Sequence, residues 1–302
     1  MSPDAPLLRR VDAHLHLWDL SSGGYGWLTP DLGELHASFA AETADAALTA
    51  AGMDAAVLVQ ADDTLADTEA MLATAQQHAW VVGVVGWVDL LHPDLVPHQL
   101  VRWQQHPAFC GVRHLVHTDP RPDLLDLPEV RRSLAVVAER GLSLDVPDAW
   151  PRHMGQLRDV ARAGPGLRVV VDHLGKPPQD PGEQARWRQG LAEVAALPNT
   201  VAKVSGLHHL HRGRDGVEAE ASLRPVWDAA LELFGPERLM YGGDWPMTVP
   251  VGGYEPAWAA TARLVGELSP PEQDRVLGGT AAAVYGLATR TGPQAGPVVT
   301  GA

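Results

Sequence analysis

His14 and His16 stand two positions apart in Val11-Asp12-Ala13-His14-Leu15-His16. On a strand such a pair projects to one face, so the two imidazoles can share a ligand. The plainer alternative is a pair of histidines hydrogen-bonded in a polar barrel floor. Asp244 lies in Gly242-Gly243-Asp244-Trp245-Pro246, directly after an apolar run. A carboxylate there could take a proton from water and return it to a leaving oxygen. Taken alone it reads more readily as an N-cap or Asx-turn aspartate among turn residues. His173 follows Val169-Val170-Val171-Asp172. It could donate to a carbonyl and to the oxyanion formed on attack, or be satisfied by backbone groups at the strand end. Arg113 and Lys176 could place positive charge against that oxyanion or a product carboxylate, although an ion pair is the usual fate of both residue types. Lys203 could point into the interior or satisfy a neighbouring carboxylate. Asp12 shares the face of His14 but lies deeper, and Asp172 should face away from His173, so both read as structural.

The elements that must position these residues alternate along the chain. Apolar, mostly β-branched runs at 8–17, 55–59, 81–88, 112–116, 142–146, 167–171, 201–204 and 239–241 make eight strands. Between them lie segments of helical period at 43–51, 64–78, 95–105, 130–140, 151–163, 184–195 and 223–234. Gly52, Gly141 and Gly235-Pro236 punctuate helix ends. Eight such units without a composition break predict a closed parallel (β/α)8 TIM barrel rather than an open sheet, in a single domain over 1–288. Residues 289–302, rich in Gly, Pro and Thr without periodicity, read as a flexible tail. In such barrels the chemistry sits at the C-terminal strand ends, and the residues above are the ones found there.

Composition narrows the function classes. A formal charge of -14, from 23 Lys+Arg against 37 Asp+Glu, argues against a protein that tracks nucleic-acid phosphates. A small-molecule substrate fits better. The single cysteine, Cys110, allows neither an intramolecular disulfide nor a CxxC site. The N-terminus lacks a signal-peptide profile and no apolar run approaches the ~20 residues of a membrane span, so the expected home is the cytoplasm. One chain carries no signal of oligomeric state.

Taken in order, the fragments resemble the amidohydrolase-related family that includes lactone hydrolases acting on L-fuconolactone and L-rhamnonolactone, 4-sulfomuconolactone and 2-pyrone-4,6-dicarboxylate. The carriers are Val11-Asp12-Ala13-His14-Leu15-His16-Leu17-Trp18, Gly111-Val112-Arg113-His114, Asp172-His173-Leu174-Gly175-Lys176-Pro177, Lys203-Val204-Ser205-Gly206-Leu207, Tyr241-Gly242-Gly243-Asp244-Trp245-Pro246 and Gly278-Gly279-Thr280-Ala281. They span nearly the whole chain and are specific for the family, though not for one substrate. The resemblance implies that Asp244 is the general base and that no metal is required. It raises His14, His16 and His173 above their structural readings. The binuclear pattern of the wider superfamily wants a bridging lysine or glutamate after strand four and a histidine after strand five. Here Arg113-His114 and Asp145-Val146-Pro147 stand there instead. One divalent ion such as zinc on His14, His16 and Asp244 is chemically reasonable, since His and Asp are ordinary zinc ligands, and is read as optional.

The expected activity is hydrolysis of a small lactone, with Asp244 and His173 catalytic and His14, His16, Trp18, Arg113, Lys176 and Trp245 around the substrate. Trp18, Trp27 and Trp245 could stack on the apolar face of a sugar ring or fill the helix-barrel interface. The excess of acidic residues favours a neutral sugar lactone over a sulfonated or dicarboxylate one. The alternatives are a metal-dependent decarboxylase of an aromatic or unsaturated acid on the same barrel, and a non-catalytic small-molecule binder.

Overall fold

The computed structural model describes residues 10–214 and 216–287. Eight parallel strands follow one another round the sheet in chain order: β1 (Val11–Leu15), β2 (Ala55–Val59), β3 (Val81–Gly86), β4 (Phe109–Arg113), β5 (Ser143–Val146), β6 (Arg168–Val171), β7 (Thr200–Val204) and β8 (Leu239–Tyr241). Strands β2 and β3 are buried at every residue, which is why they read as unbroken apolar runs rather than alternating ones. The connecting helices are α1 (Ala41–Ala50), α2 (Leu65–Gln77), α3 (Val96–Trp103), α4 (Pro128–Glu139), α5 (Met154–Ala163), α6 (Pro181–Ala195) and α7 (Gly216–Phe234). Three more, α8 (Tyr254–Val265), α9 (Pro270–Asp274) and α10 (Thr280–Tyr285), follow β8. The fold is a (β/α)8 TIM barrel, as the alternation predicts. Among the described residues no helix is long and apolar enough to cross a membrane.

Local chemistry explains the helix starts. Thr64 accepts from Asp67 N at 3.2 Å ahead of α2. Asp180 accepts from Gly182 N at 2.8 Å, with Pro181 in the first position of α6. The large core lies between barrel and helices, where Leu58, Val84, Leu144 and Val171 meet Leu100, Trp103, Trp187, Leu191 and Trp227. A smaller cluster of Val57, Val59, Val85, Val170 and Met240 joins Ala281, Val284 and Tyr285 of α10. Arg168, which opens β6, binds the carbonyls of Ala283 and Val284, so α10 closes the N-terminal end of the barrel.

The structure corrects several boundaries. Strand β4 runs over Phe109–Arg113 rather than 112–116. Gly111 belongs inside it, paired with Val85 on β3 and Ser143 on β5, and a Cβ there would collide with Ser143 Oγ. Val116 misled the reading because it is buried as a turn residue beyond the strand. Strands β1 and β3 are shorter than 8–17 and 81–88, and α7 begins at Gly216, seven residues before 223. Residues 8 and 9 and the tail expected at 289–302 lie outside the described residues.

Strands β1 and β8 meet by little regular ladder, only a single bridge between Leu15 and Trp245. The seam is closed just beyond β8. Asp244 N donates to His14 O at 2.8 Å and His16 N donates to Trp245 O at 2.7 Å. Gly243 N donates to Asp12 Oδ1 at 2.9 Å.

Candidate active site

Asp244 sits at the centre of four imidazoles. Its Oδ1 lies 3.4 Å from His16 Nε2, 3.7 Å from His14 Nε2 and 4.0 Å from His173 Nε2. Its Oδ2 faces His208 Nδ1 at 3.7 Å. Burial pushes the Asp244 carboxyl up, but the surrounding imidazoles, His173 foremost, overcome this and hold it well below the usual carboxylate range. Burial pulls His14 well below the usual imidazole value, lowers His173, and brings His208 to about 4. The environment thus favours the ionised form of Asp244 and the neutral form of His14, His173 and His208.

Unusual backbone holds this cluster in place. His173, Leu174, Gly175 and Lys176 have φ of 57°, 53°, 74° and 66°, a complete left-handed turn. For non-glycine residues that conformation costs roughly 1–2 kcal/mol each, so its surroundings must impose it. Leu174 is fully buried, Trp187 Nε1 donates to Leu174 O at 2.9 Å, and Trp150 N donates to Gly175 O at 2.8 Å. Gly206 has φ 60°, and a Cβ on it would fall 2.4 Å from His173 Nδ1. Beside it Ser205 Oγ meets that same Nδ1 at 2.9 Å. Gly243 brings its backbone against Asp12, whose Oδ2 would lie 2.5 Å from an added Cβ.

Beneath the histidines is a buried ionic layer. Lys203 Nζ reaches Asp145 Oδ2 at 2.7 Å, Asp172 Oδ1 at 3.1 Å and His14 Nδ1 at 3.3 Å. The ammonium is thus flanked by two carboxylates, and His14 Nδ1 also lies 3.4 Å from Asp172 Oδ1, so an N–H there leaves Nε2 free. Asp145 also accepts from Tyr285 OH at 2.6 Å and Ser143 Oγ at 3.0 Å. Asp172 is joined to Arg113 Nη1 at 3.3 Å. Burial pushes Asp145 up and opposes the ionised form of Asp172, yet the charge of Lys203 leads the contributions that hold Asp172 well below its usual value. Asp172 thus stands under His14, where it supports the site. Asp12 binds the backbone N–H groups of His14 and Gly243 and the Tyr254 hydroxyl, tying β1 to the segment after β8.

The donor set fits a divalent cation. His16 Nδ1 lies 2.7 Å from Val59 O and donates to it, which leaves Nε2 as a lone pair. That lone pair is 3.1 Å from His14 Nε2. With Asp244 Oδ1, the two nitrogens form a triangle of the size that zinc ligands at ~2.0–2.2 Å subtend. His14, His173 and Asp244 likewise offer atoms within 4.8 Å of one another. Arg113 Nη1 lies 3.2 Å from His14 Nε2 and would compete with such an ion for that nitrogen.

A cavity of about 360 Å³ opens over this cluster, a size suited to a small ring. His16, Trp18, Arg113, His173, Lys176 and Asp244 line it, and His14 lies beneath. Trp18 is fixed by its Nε1 donating to Ala37 O at 2.7 Å and by an edge-on contact with Trp27. Arg113 is partly committed, because Nη2 binds the Gln60 carbonyl and Nη1 faces His14 and Asp172. Trp245 does not line this cavity, and its ring packs edge-on against Phe39 at 5.3 Å. The structure adds His208, His117, Asp148, Asp62 and Asp63 to the wall. Of these, His208 carried a readable signal, since it follows Lys203-Val204-Ser205-Gly206 by two residues.

Eight parallel strands that gather two histidines from the first and an aspartate after the last at one mouth define a TIM-barrel enzyme site. The chain belongs to the amidohydrolase family, whose model, described as Amidohydrolase, matches residues 11–287. It is 32% identical over 290 residues to an L-fucono-1,5-lactonase of Burkholderia ambifaria, covering 94% of this chain and 98% of that protein. An L-fucono-1,5-lactonase of Burkholderia multivorans is also 32% identical, with 92% and 96% covered. The crystal structure of an amidohydrolase from Burkholderia multivorans with zinc bound matches with a TM-score of 0.84 at 29% identity, covering 92% of this chain and 99% of that one.

Proposed function

We propose that this protein hydrolyses a small sugar lactone, with Asp244 as the base that activates water. The observation that carries this reading is the placement of Asp244. It is an ionised, buried carboxylate on the floor of a ring-sized cavity, with Oδ1 turned to three imidazoles and Oδ2 beside His208. Full-length similarity to two L-fucono-1,5-lactonases supports the substrate class.

In this mechanism the lactone carbonyl rests against His173. Ser205 Oγ–H donates to Nδ1 of His173, leaving Nε2–H to donate to the carbonyl oxygen and then to the oxyanion. Water attacks the carbonyl carbon as its proton passes to Asp244. The ring C–O bond then breaks, and that proton returns to the departing alkoxide. The product is a hydroxy acid. A zinc ion held by His14, His16 and Asp244 would polarise the carbonyl or an oxygen nucleophile; we propose that turnover does not require it.

The deciding experiment is a pH-indicator screen of aldonolactones on purified protein before and after chelation, with Asp244→Asn beside the wild type. Turnover that survives chelation and falls at least ~10³-fold in D244N is expected, since a general acid-base group contributes roughly 10²–10⁴-fold. Silence on every lactone, with zinc restored, would overturn the reading in favour of decarboxylation or of ligand binding without turnover.

A further inference from the structure

Asp148 and Lys176 stand side by side on the cavity wall, each in an unusual backbone conformation. Asp148 follows β5 by two residues and has φ 47°; Lys176 closes the left-handed turn at φ 66°. Residues other than glycine are uncommon there, and such outliers cluster where a side chain must be aimed. Both residues line the cavity. Lys176 Nζ lies 3.7 Å from Asp148 Oδ2. The other carboxylate oxygen, Oδ1, is buried and has no hydrogen-bond partner in the protein. Oδ1 is thus shut off from the cavity, and Oδ2, which accepts no hydrogen bond from the described residues, is the oxygen that a ligand in the cavity can reach.

A carboxylate oxygen awaiting a donor, next to an ammonium with N–H groups to give, is complementary to two neighbouring hydroxyls. One hydroxyl donates to Asp148 Oδ2, and an adjacent one accepts from Lys176 Nζ. Resting on the lactonase reading above, we infer that Asp148 and Lys176 form a subsite for a vicinal hydroxyl pair of the sugar lactone, and that this pair selects polyhydroxylated over anionic lactones. The rest of the wall agrees. Asp62 and Asp63 line the same cavity and oppose a carboxylate or sulfonate on the ring, while the Arg113 guanidinium on that wall is engaged by Gln60 O, His14 and Asp172. Lys176 meanwhile has its charge neutralised by Asp148. The role is one of substrate binding, remote from the carbonyl, so it acts on KM.

The test is steady-state kinetics on the best aldonolactone of the screen, for wild type, Asp148→Gly, Asp148→Asn and Lys176→Met. Glycine removes the carboxylate while accepting the positive φ. Asparagine keeps an acceptor oxygen and tolerates the same backbone. D148G and K176M are expected to raise KM at least tenfold with kcat within threefold, and D148N to recover most of the loss. Unchanged KM in both D148G and K176M, or a fall in kcat with KM intact, overturns the inference. Failure of the lactonase reading looks different, because the wild type itself would then turn over no aldonolactone.

Discussion

Asp12 carries three hydrogen bonds, from His14 N, Gly243 N and Tyr254 OH, yet burial pushes its carboxyl up to about 6 from 3.8. A group whose folded value is raised contributes stability that is complete below the unfolded value and is lost as pH climbs through the folded one. Asp12→Asn keeps the shared acceptor oxygen, and the Tyr254 hydroxyl can turn to accept from the new amide. The stability difference between the two proteins should therefore move in favour of D12N as pH rises from about 4 to 7. At ~1.4 kcal/mol per unit this amounts to about 3 kcal/mol. Urea unfolding of both proteins at the two ends of that range checks it, and a constant difference would show that Asp12 is not uncomfortable when charged. At this scale the sequence was legible where spacing is local. His14 and His16 share a face by strand periodicity, and His173 and Asp244 end apolar runs. Lys203 was left with two fates, and the structure gives it both, inside the barrel and between two carboxylates. The partners of Lys203 are 58 residues away at Asp145 and 31 away at Asp172 (203 − 145 and 203 − 172). No local pattern announces such a contact. Asp148 was hidden for another reason, because an aspartate after a proline reads as an ordinary turn former.

Among the elements, the two loops that follow β6 and β7 act together. The left-handed turn presents His173, and Gly206 at the end of β7 leaves room for its ring. Gly206→Ala should cost about 1–2 kcal/mol from the positive φ alone and should displace the imidazole. We expect kcat for the lactone to fall at least tenfold while the melting temperature drops by only a few degrees. Full activity in G206A would mean that His173 does not need its present position. The turn itself could not be foreseen from sequence, since Asp172-His173-Leu174 contains nothing that favours a positive φ. Tertiary hydrogen bonds from Trp187 and Trp150 impose it. The misplaced fourth strand has a similar origin. Periodicity finds apolar residues, but Gly111 is held in β4 by pairing with Ser143, whose side chain leaves no room for a Cβ, and that constraint is written on another strand.

At the scale of the molecule, the eightfold alternation was legible because each parallel strand is buried on both faces. The ionic layer that spans β1, β5, β6 and β7 was not. Lys203→Met should leave Asp145 buried without a cation and cost about 3 kcal/mol or more, measured by urea unfolding near neutral pH. A loss below 1 kcal/mol would mean that Asp145 simply takes up a proton and rests on Tyr285 and Ser143. The seam between β1 and β8 has a different bearing. Of the groups that join the two ends of the sheet, His16 and Asp244 line the cavity, and His14 lies directly beneath them. The hoop is fastened by its own working parts. A ligand seated on Asp244 therefore also locks the clasp, and an empty site leaves it the easiest joint to spring. With rising urea, catalytic activity and amide-exchange protection at His16 and Asp244 should vanish together, before the helices melt, and a bound unreactive lactone analogue should draw the two events into one.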